Sequence, residues 1–234
     1  MRAILASLAL ALAGSAPATA PEPASVVPAA PAARVKRHAV VHAGKGVTVR
    51  VPEAAAYVGS ERFALYGIAD AEIHVFAEAD GKRRLTRLYW IQFESPLPSR
   101  PEARYDYSDN ERAELWGRTT WVRTGPRRTA DPGRAGSDRE HVMNILARAG
   151  YAVPAETMNA RLVQILDDPS GTGKGRDELM LIYSEDLAPT GKAYDALVKD
   201  GGTTPAWDSL EAPLVARAAA AFTVERIKAG RRRR

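Results

Sequence analysis

The chain has 234 residues, a formal charge of +5 and no cysteine. The absence of cysteine excludes disulfides, thiol chemistry, cysteine-based metal sites and a lipid-anchored cysteine. The charge does not make the chain a nucleic-acid binder: Arg2 and Arg231–Arg234 lie at its two ends, and 33 basic residues less these five leave 28 against 28 acidic ones. A binder of nucleic acid needs its basic residues as a patch on the fold.

Met1–Ala20 reads as a secretory signal peptide: one arginine, the apolar run Ala3–Ala13, then small residues. The run is shorter than the about 20 apolar residues a membrane-spanning helix needs, so no transmembrane segment is expected after cleavage. Cleavage is expected between Ala18 and Ala20, with a cut before Thr19 preferred because Pro21 hinders the later site. This address predicts a periplasmic or secreted protein. Residues 21–44 begin as a proline- and alanine-rich stretch and read as a linker. Residues 45–229 form the expected single globular domain, at about 185 residues long enough to bury its own core. Residues 230–234 are a basic tail: a solvated, frayed end, or a weak contact with an anionic surface through Arg231, Arg232, Arg233 and Arg234.

Within the body, Val47, Val49 and Val51 alternate with polar residues and predict a strand. Phe63–Ala77 and Arg84–Phe93 are the two arms of a predicted hairpin, joined by Asp80-Gly81 as a two-residue type I′ turn. Residues 95–114 read as loop with a short turn of helix. Leu115–Val122 is a further predicted strand, with Trp116 and Trp121 on opposite faces, and 124–136 a loop. Ser137-Asp138-Arg139-Glu140 opens a helix over 138–149 as a capping box, with Val142, Ile145 and Leu146 buried and Gly150 as its left-handed end. A second hairpin pairs Met158–Leu166 with Leu179–Tyr183, and a long helix runs from about Ser209 to Lys228. The fold class is therefore α+β: an antiparallel sheet built from hairpins, with a capped helix, a long C-terminal helix, and both helices on one face.

The candidate ligand site lies on the first hairpin. A two-residue turn places His74 opposite Arg87, Glu72 opposite Tyr89 and Phe76 opposite Leu85. Glu72, His74, Arg87 and Tyr89 among apolar neighbours resemble the floor of a binding pocket. Other motifs carry less. His38 and His42 have the spacing of a metal pair on a helix, but the valines between them favour extended chain, so no metal and no cofactor is assigned. The loop from Asp168 starts like a calcium loop and lacks the closing glutamate at Leu179. No Gly-x-Ser-x-Gly or His-Glu-x-x-His occurs, so no catalytic residue is assigned. Asp167-Asp168 and Glu185-Asp186 sit where strands end, and a carboxylate pair that meets only in space is invisible to sequence.

Ala71–Phe76, Leu88–Glu94 and Glu178–Leu187 resemble a group of uncharacterised bacterial exported proteins, over most of residues 60–225. The resemblance implies an exported protein and carries no activity or functional residue. The expected role is a non-catalytic exported domain that binds a small, partly apolar ligand or a protein partner. A periplasmic hydrolase using His74 or an unseen carboxylate pair, and an envelope-surface structural protein held by its arginines, are the alternatives.

Overall fold

The structure is a computed structural model that describes residues 30–227. The expected signal peptide, its cleavage site and the arginine tail lie outside these residues. The chain starts with β1 (Arg34–Lys36), β2 (Ala39–His42) and β3 (Val47–Arg50), then β4 (Ala56–Leu65), β5 (Ala69–Ala79) and β6 (Leu85–Pro96). Next come β7 (Tyr105–Asp106), β8 (Arg112–Leu115), β9 (Arg118–Arg128) and α1 (Asp138–Arg148). β10 (Glu156–Ile165), β11 (Lys174–Gly175) and β12 (Glu178–Asp186) follow. The chain then forms α2 (Tyr194–Leu197), β13 (Val198–Lys199), β14 (Gly202–Thr203), α3 (Pro205–Ala221) and β15 (Thr223–Arg226).

A seven-stranded antiparallel sheet in the order β4-β5-β6-β12-β10-β9-β8 forms the centre, and a four-stranded sheet in the order β1-β2-β3-β15 packs on it. The alternation of side chains along each strand divides the core in two. Phe76, Tyr89, Ile91, Phe93, Leu162 and Leu181 face the four-stranded sheet and α3, meeting Val40, Val49, Trp207 and Leu214. Ile73, Val75, Trp90, Trp121, Val163 and Met180 face α1, whose Val142, Ile145 and Leu146 pack among them. The class is α+β as expected, but α1 and α3 lie on opposite faces, because both faces of the large sheet are apolar enough to need cover. Among the described residues no helix is long and apolar enough to cross a membrane.

Five local readings differ from the structure. Residues 34–42, expected as linker, form β1 and β2, whose Val40 is fully buried. The turn after β5 is longer than Asp80-Gly81. The Asp80 carboxylate accepts from the amides of Lys82 and Arg84 at 2.8 and 2.9 Å, Arg83 takes a φ of 61°, and the register shifts at Glu78/Ala79. His74 therefore faces Ile91, Glu72 faces Phe93, and Phe76 faces Tyr89. A type I′ conformation occurs instead at Trp116 and Gly117, with φ of 52° and 73°, between Leu115 and Arg118. The predicted single strand there is thus a hairpin, and its second arm runs on to Arg128 through the expected loop. The last helix starts earlier, with Pro205 in its first turn, and ends at Ala221. Val224 then pairs with Val49 as the chain closes the small sheet.

The α1 caps match the sequence closely. Ser137 Oγ accepts from the Glu140 amide at 3.3 Å, and the Glu140 carboxylate reaches one residue further back, to the Gly136 amide at 2.7 Å. Gly150 has a φ of 74°, and the amides of Gly150 and Tyr151 return to Ala147 and Leu146, closing a Schellman motif.

The turns make opposite demands on their glycines. Gly117→Ala forces a side chain into the left-handed region and is expected to cost about 1 kcal/mol. Gly81 is outside that region with open space around it, so Gly81→Ala is expected to be neutral or slightly stabilising. Urea unfolding of the two variants checks this; equal losses contradict it.

Candidate functional site

The four residues expected to form a pocket share one face of the large sheet, the face covered by the small sheet and α3, but the observed register separates them. Glu72 and His74 are buried at one end. His74 Nε2 lies 2.8 Å from Glu72 Oε1, and the carboxylate accepts from the amides of Ala32 and Ala33 at 2.6 and 2.8 Å. Burial alone would raise the Glu72 pKa, but the hydrogen bonds from His74 and the two amides outweigh it and hold it at about 2. This pair fastens the start of the described chain to the core.

Arg87 and Tyr89 belong to a second network. Tyr89 donates to Glu78, Arg87 Nη1 donates to the same carboxylate at 2.7 Å, and the Tyr89 ring packs against Tyr183 and Phe222. Burial and the neighbouring Glu78 raise the Tyr89 pKa. Of the four residues only Arg87 reaches the cleft described next.

The cleft lies on the opposite face of the sheet, between α1 and strands β6, β12, β10 and β9, with a volume of about 510 Å³. Trp90, Met180 and Ile182 line it from the sheet, and Val142 and Met143 from α1. Arg123, Arg139 and Arg161 bring guanidinium groups to the same space.

Beside the cleft runs a buried polar chain. Trp90 Nε1 donates to Gln92 Oε1 at 2.7 Å, and Gln92 Nε2 donates to Glu94. Tyr105, from β7, donates to Glu94 Oε2 at 3.0 Å, and Tyr107 donates to Glu178 Oε2 at 2.8 Å. Arg161 donates to the Tyr107 hydroxyl at 2.6 Å and stands 3.5 Å from Glu178 Oε1. Glu94 and Glu178 are direct cross-strand partners, 6% and 1% exposed. On its far side Glu94 borders a smaller recess of about 190 Å³ beside Ile68 and Tyr105.

Two carboxyl groups here share one nearby guanidinium. Burial, and then the charge of Glu94, push Glu178 up to about 7 against the pull of Arg161. Burial likewise raises Glu94. Burial opposes the Arg161 charge, but Tyr107 and Glu178 outweigh it and raise its pKa.

Glu94, Glu178, Arg161 and Tyr107 were missed by the sequence reading. The available signal was a charge or amide inside an apolar central strand. Gln92 and Glu94 continue the face of Leu88 and Trp90, and Glu178 heads the run Leu179–Ile182. The acidic pairs named from sequence have structural partners. Asp167 and Asp168 accept amides of their own loop, Glu185 binds Arg217, and Asp186 binds Arg84. His38 Nδ1 meets the Ala55 carbonyl and His42 Nδ1 accepts the Lys45 amide. Among the described residues no group of three or more metal-ligating side chains comes together. The chain matches no protein-family model, no curated protein and no solved structure.

The two buried glutamates have opposite pH signatures. Glu72 has a lowered pKa, so its contribution is complete above its ordinary value of 4.5 and is lost as pH falls towards about 2. Glu178 has a raised pKa, so the folded state holds its proton more tightly. Its contribution is complete below 4.5 and is lost as pH rises through about 7. Urea midpoints across pH are expected to show a shallower acid limb in Glu72→Gln and a flatter slope from mildly acidic to mildly alkaline pH in Glu178→Gln. Unchanged profiles contradict both assignments.

Proposed function

We propose that this is an exported binding protein for a small, partly apolar molecule, held in the cleft between α1 and the large sheet. The observation that carries this reading is the cleft itself. Its volume of about 510 Å³ falls within the range of small-molecule sites. Its apolar surface from Trp90, Met180 and Ile182, edged by a few charged groups, follows the usual composition of such sites. The leader-like Met1–Ala20 supports export.

Binding is favoured over hydrolysis because the paired carboxyls of Glu94 and Glu178 are almost wholly buried and committed to Tyr105, Tyr107, Gln92 and Arg161. A general acid and base need reach to the substrate, and neither of these two groups lines the cleft.

A thermal-shift screen of small amphiphilic and aromatic molecules tests the reading, since a ligand specific to the folded state raises its stability, by about 2.7 kcal/mol at a hundred times Kd. At least one compound is expected to raise Tm in the wild type and to lose that effect in Met143→Trp, which fills the cleft from α1. No shift across the screen, or equal shifts in both proteins, contradicts it.

A further inference from the structure

Two like-charged pairs stand face to face across strands on the cleft side of the sheet. Arg161 of β10 is opposite Arg123 of β9, and Glu178 of β12 is opposite Glu94 of β6. Directly opposed like charges destabilise a sheet, so each pair is relieved by a charge of the other sign. Among the described residues this occurs only once, in the approach of Arg161 to Glu178 at 3.5 Å.

Among the described residues Arg123 has no ion-pair partner, and Arg161 Nη1 has no hydrogen-bond partner. Arg139, a third guanidinium on the cleft, binds the carbonyls of Thr129 and Asp131 rather than a carboxylate. Of the acidic groups on the cleft, Glu185 is held by Arg217 and Asp186 by Arg84, which leaves Asp138 in the first turn of α1. The cleft thus has an excess of guanidinium beside an apolar surface.

We propose that the cleft takes an apolar molecule ending in one anionic group, that this group is held by Arg161 and Arg123, and that the Glu94–Glu178 pair keeps a proton while it is bound. The inference rests on the binding reading above and names the ligand class. An anion at Arg161 competes for the charge that steadies Glu178. If both carboxyls were ionised, Arg161 would face two buried carboxylates and the ligand together, so binding favours the protonated pair. The groups facing the pair are Gln92 on β6, Tyr105 and Tyr107 from β7 and the residues after it, Arg161 on β10 and Asp138 on α1. On β5, Ala71 lies opposite Glu94. Asp138 adds negative charge and works in the same direction as the ligand. Affinity for the anion therefore falls as pH rises through the titration of the pair.

Calorimetric titration of the full protein with octanesulfonate and with octanol, between about pH 5.5 and 8.5, tests this. The sulfonate stays ionised throughout, so any pH dependence belongs to the protein. The sulfonate is expected to bind about tenfold more tightly than octanol near pH 6 and to lose about tenfold by pH 8. That loss is expected to vanish in Glu178→Gln. Arg123→Gln, an exposed position opposite Arg161, is expected to weaken the sulfonate several-fold while leaving octanol binding unchanged and Tm no lower. Equal affinities for the two molecules, or an unaffected Arg123→Gln, overturn the anion assignment and leave the binding reading standing. A pH-independent sulfonate affinity overturns the role of the glutamate pair. Failure of both molecules to bind at any pH removes the anionic-amphiphile assignment outright, while a hit in the thermal-shift screen would still preserve the broader binding reading.

Discussion

Both faces of the central sheet carry cover, and a polar side chain buried beneath it can reach its partners only inside the protein. Leaving a buried donor or acceptor unpaired costs about 1–3 kcal/mol. Several polar residues on β5, β6 and β12 therefore hold other parts of the chain in place. Glu72 captures the amides of Ala32 and Ala33, so the segment ahead of β1 is bound to the core. Glu78 gathers Arg87 and Tyr89. Glu94 and Glu178 draw in Tyr105 and Tyr107 from the connection between β6 and β8. Only His74 Nδ1 and Gln164 Oε1 are buried without a partner among the described residues.

The two covers differ in extent, and the cleft follows from that difference. The small sheet and α3 spread across one face and bury large side chains from Trp207 to Phe222. On the other face α1 is a single short helix lying over β4 and β5. Its Ile145 comes so close to β4 that a side-chain carbon at Gly59 would lie 3.1 Å from it. The remainder of that face, over β12, β10 and β9, is left with its apolar residues and arginines beside open space. The buried glutamates lie behind this opening and are joined to it through Arg161, which lines the cleft and stands 3.5 Å from Glu178.

Alternation along the strands was readable from the residues alone, and it assigned Glu72, His74, Arg87 and Tyr89 to one face correctly. The pairing was not, because the turn holds more residues than Asp80-Gly81 and carries a bulge. The resulting slip is even, which preserves the face of every side chain while changing every partner. That change alone separates Glu72 and His74 from Arg87 and Tyr89. The caps of α1 were legible because they are local. β1 and β2 were not, because the preceding alanines and prolines dominate the composition and only Val35, Val40 and Val41 mark the strands. β15 was lost in the helical pattern before it. The cleft depends on β6, β12, β10 and β9 being neighbours and on α1 covering only β4 and β5 beside them, and no local signal encodes either. Gln92, Glu94 and Glu178 were visible as polar residues within apolar strands, a pattern that marks a buried network before its partners are known.

The central claim is that Glu94 and Glu178, opposed across β6 and β12, together hold a proton near neutral pH. Carbon-13 NMR of glutamate side-chain carboxyls, followed through pH in the wild type and in Glu178→Gln, observes that proton directly. The account predicts one carboxyl signal titrating near 7 that is absent from Glu178→Gln. Glutamate carboxyls that all titrate in the ordinary range, near 4.5, would contradict it.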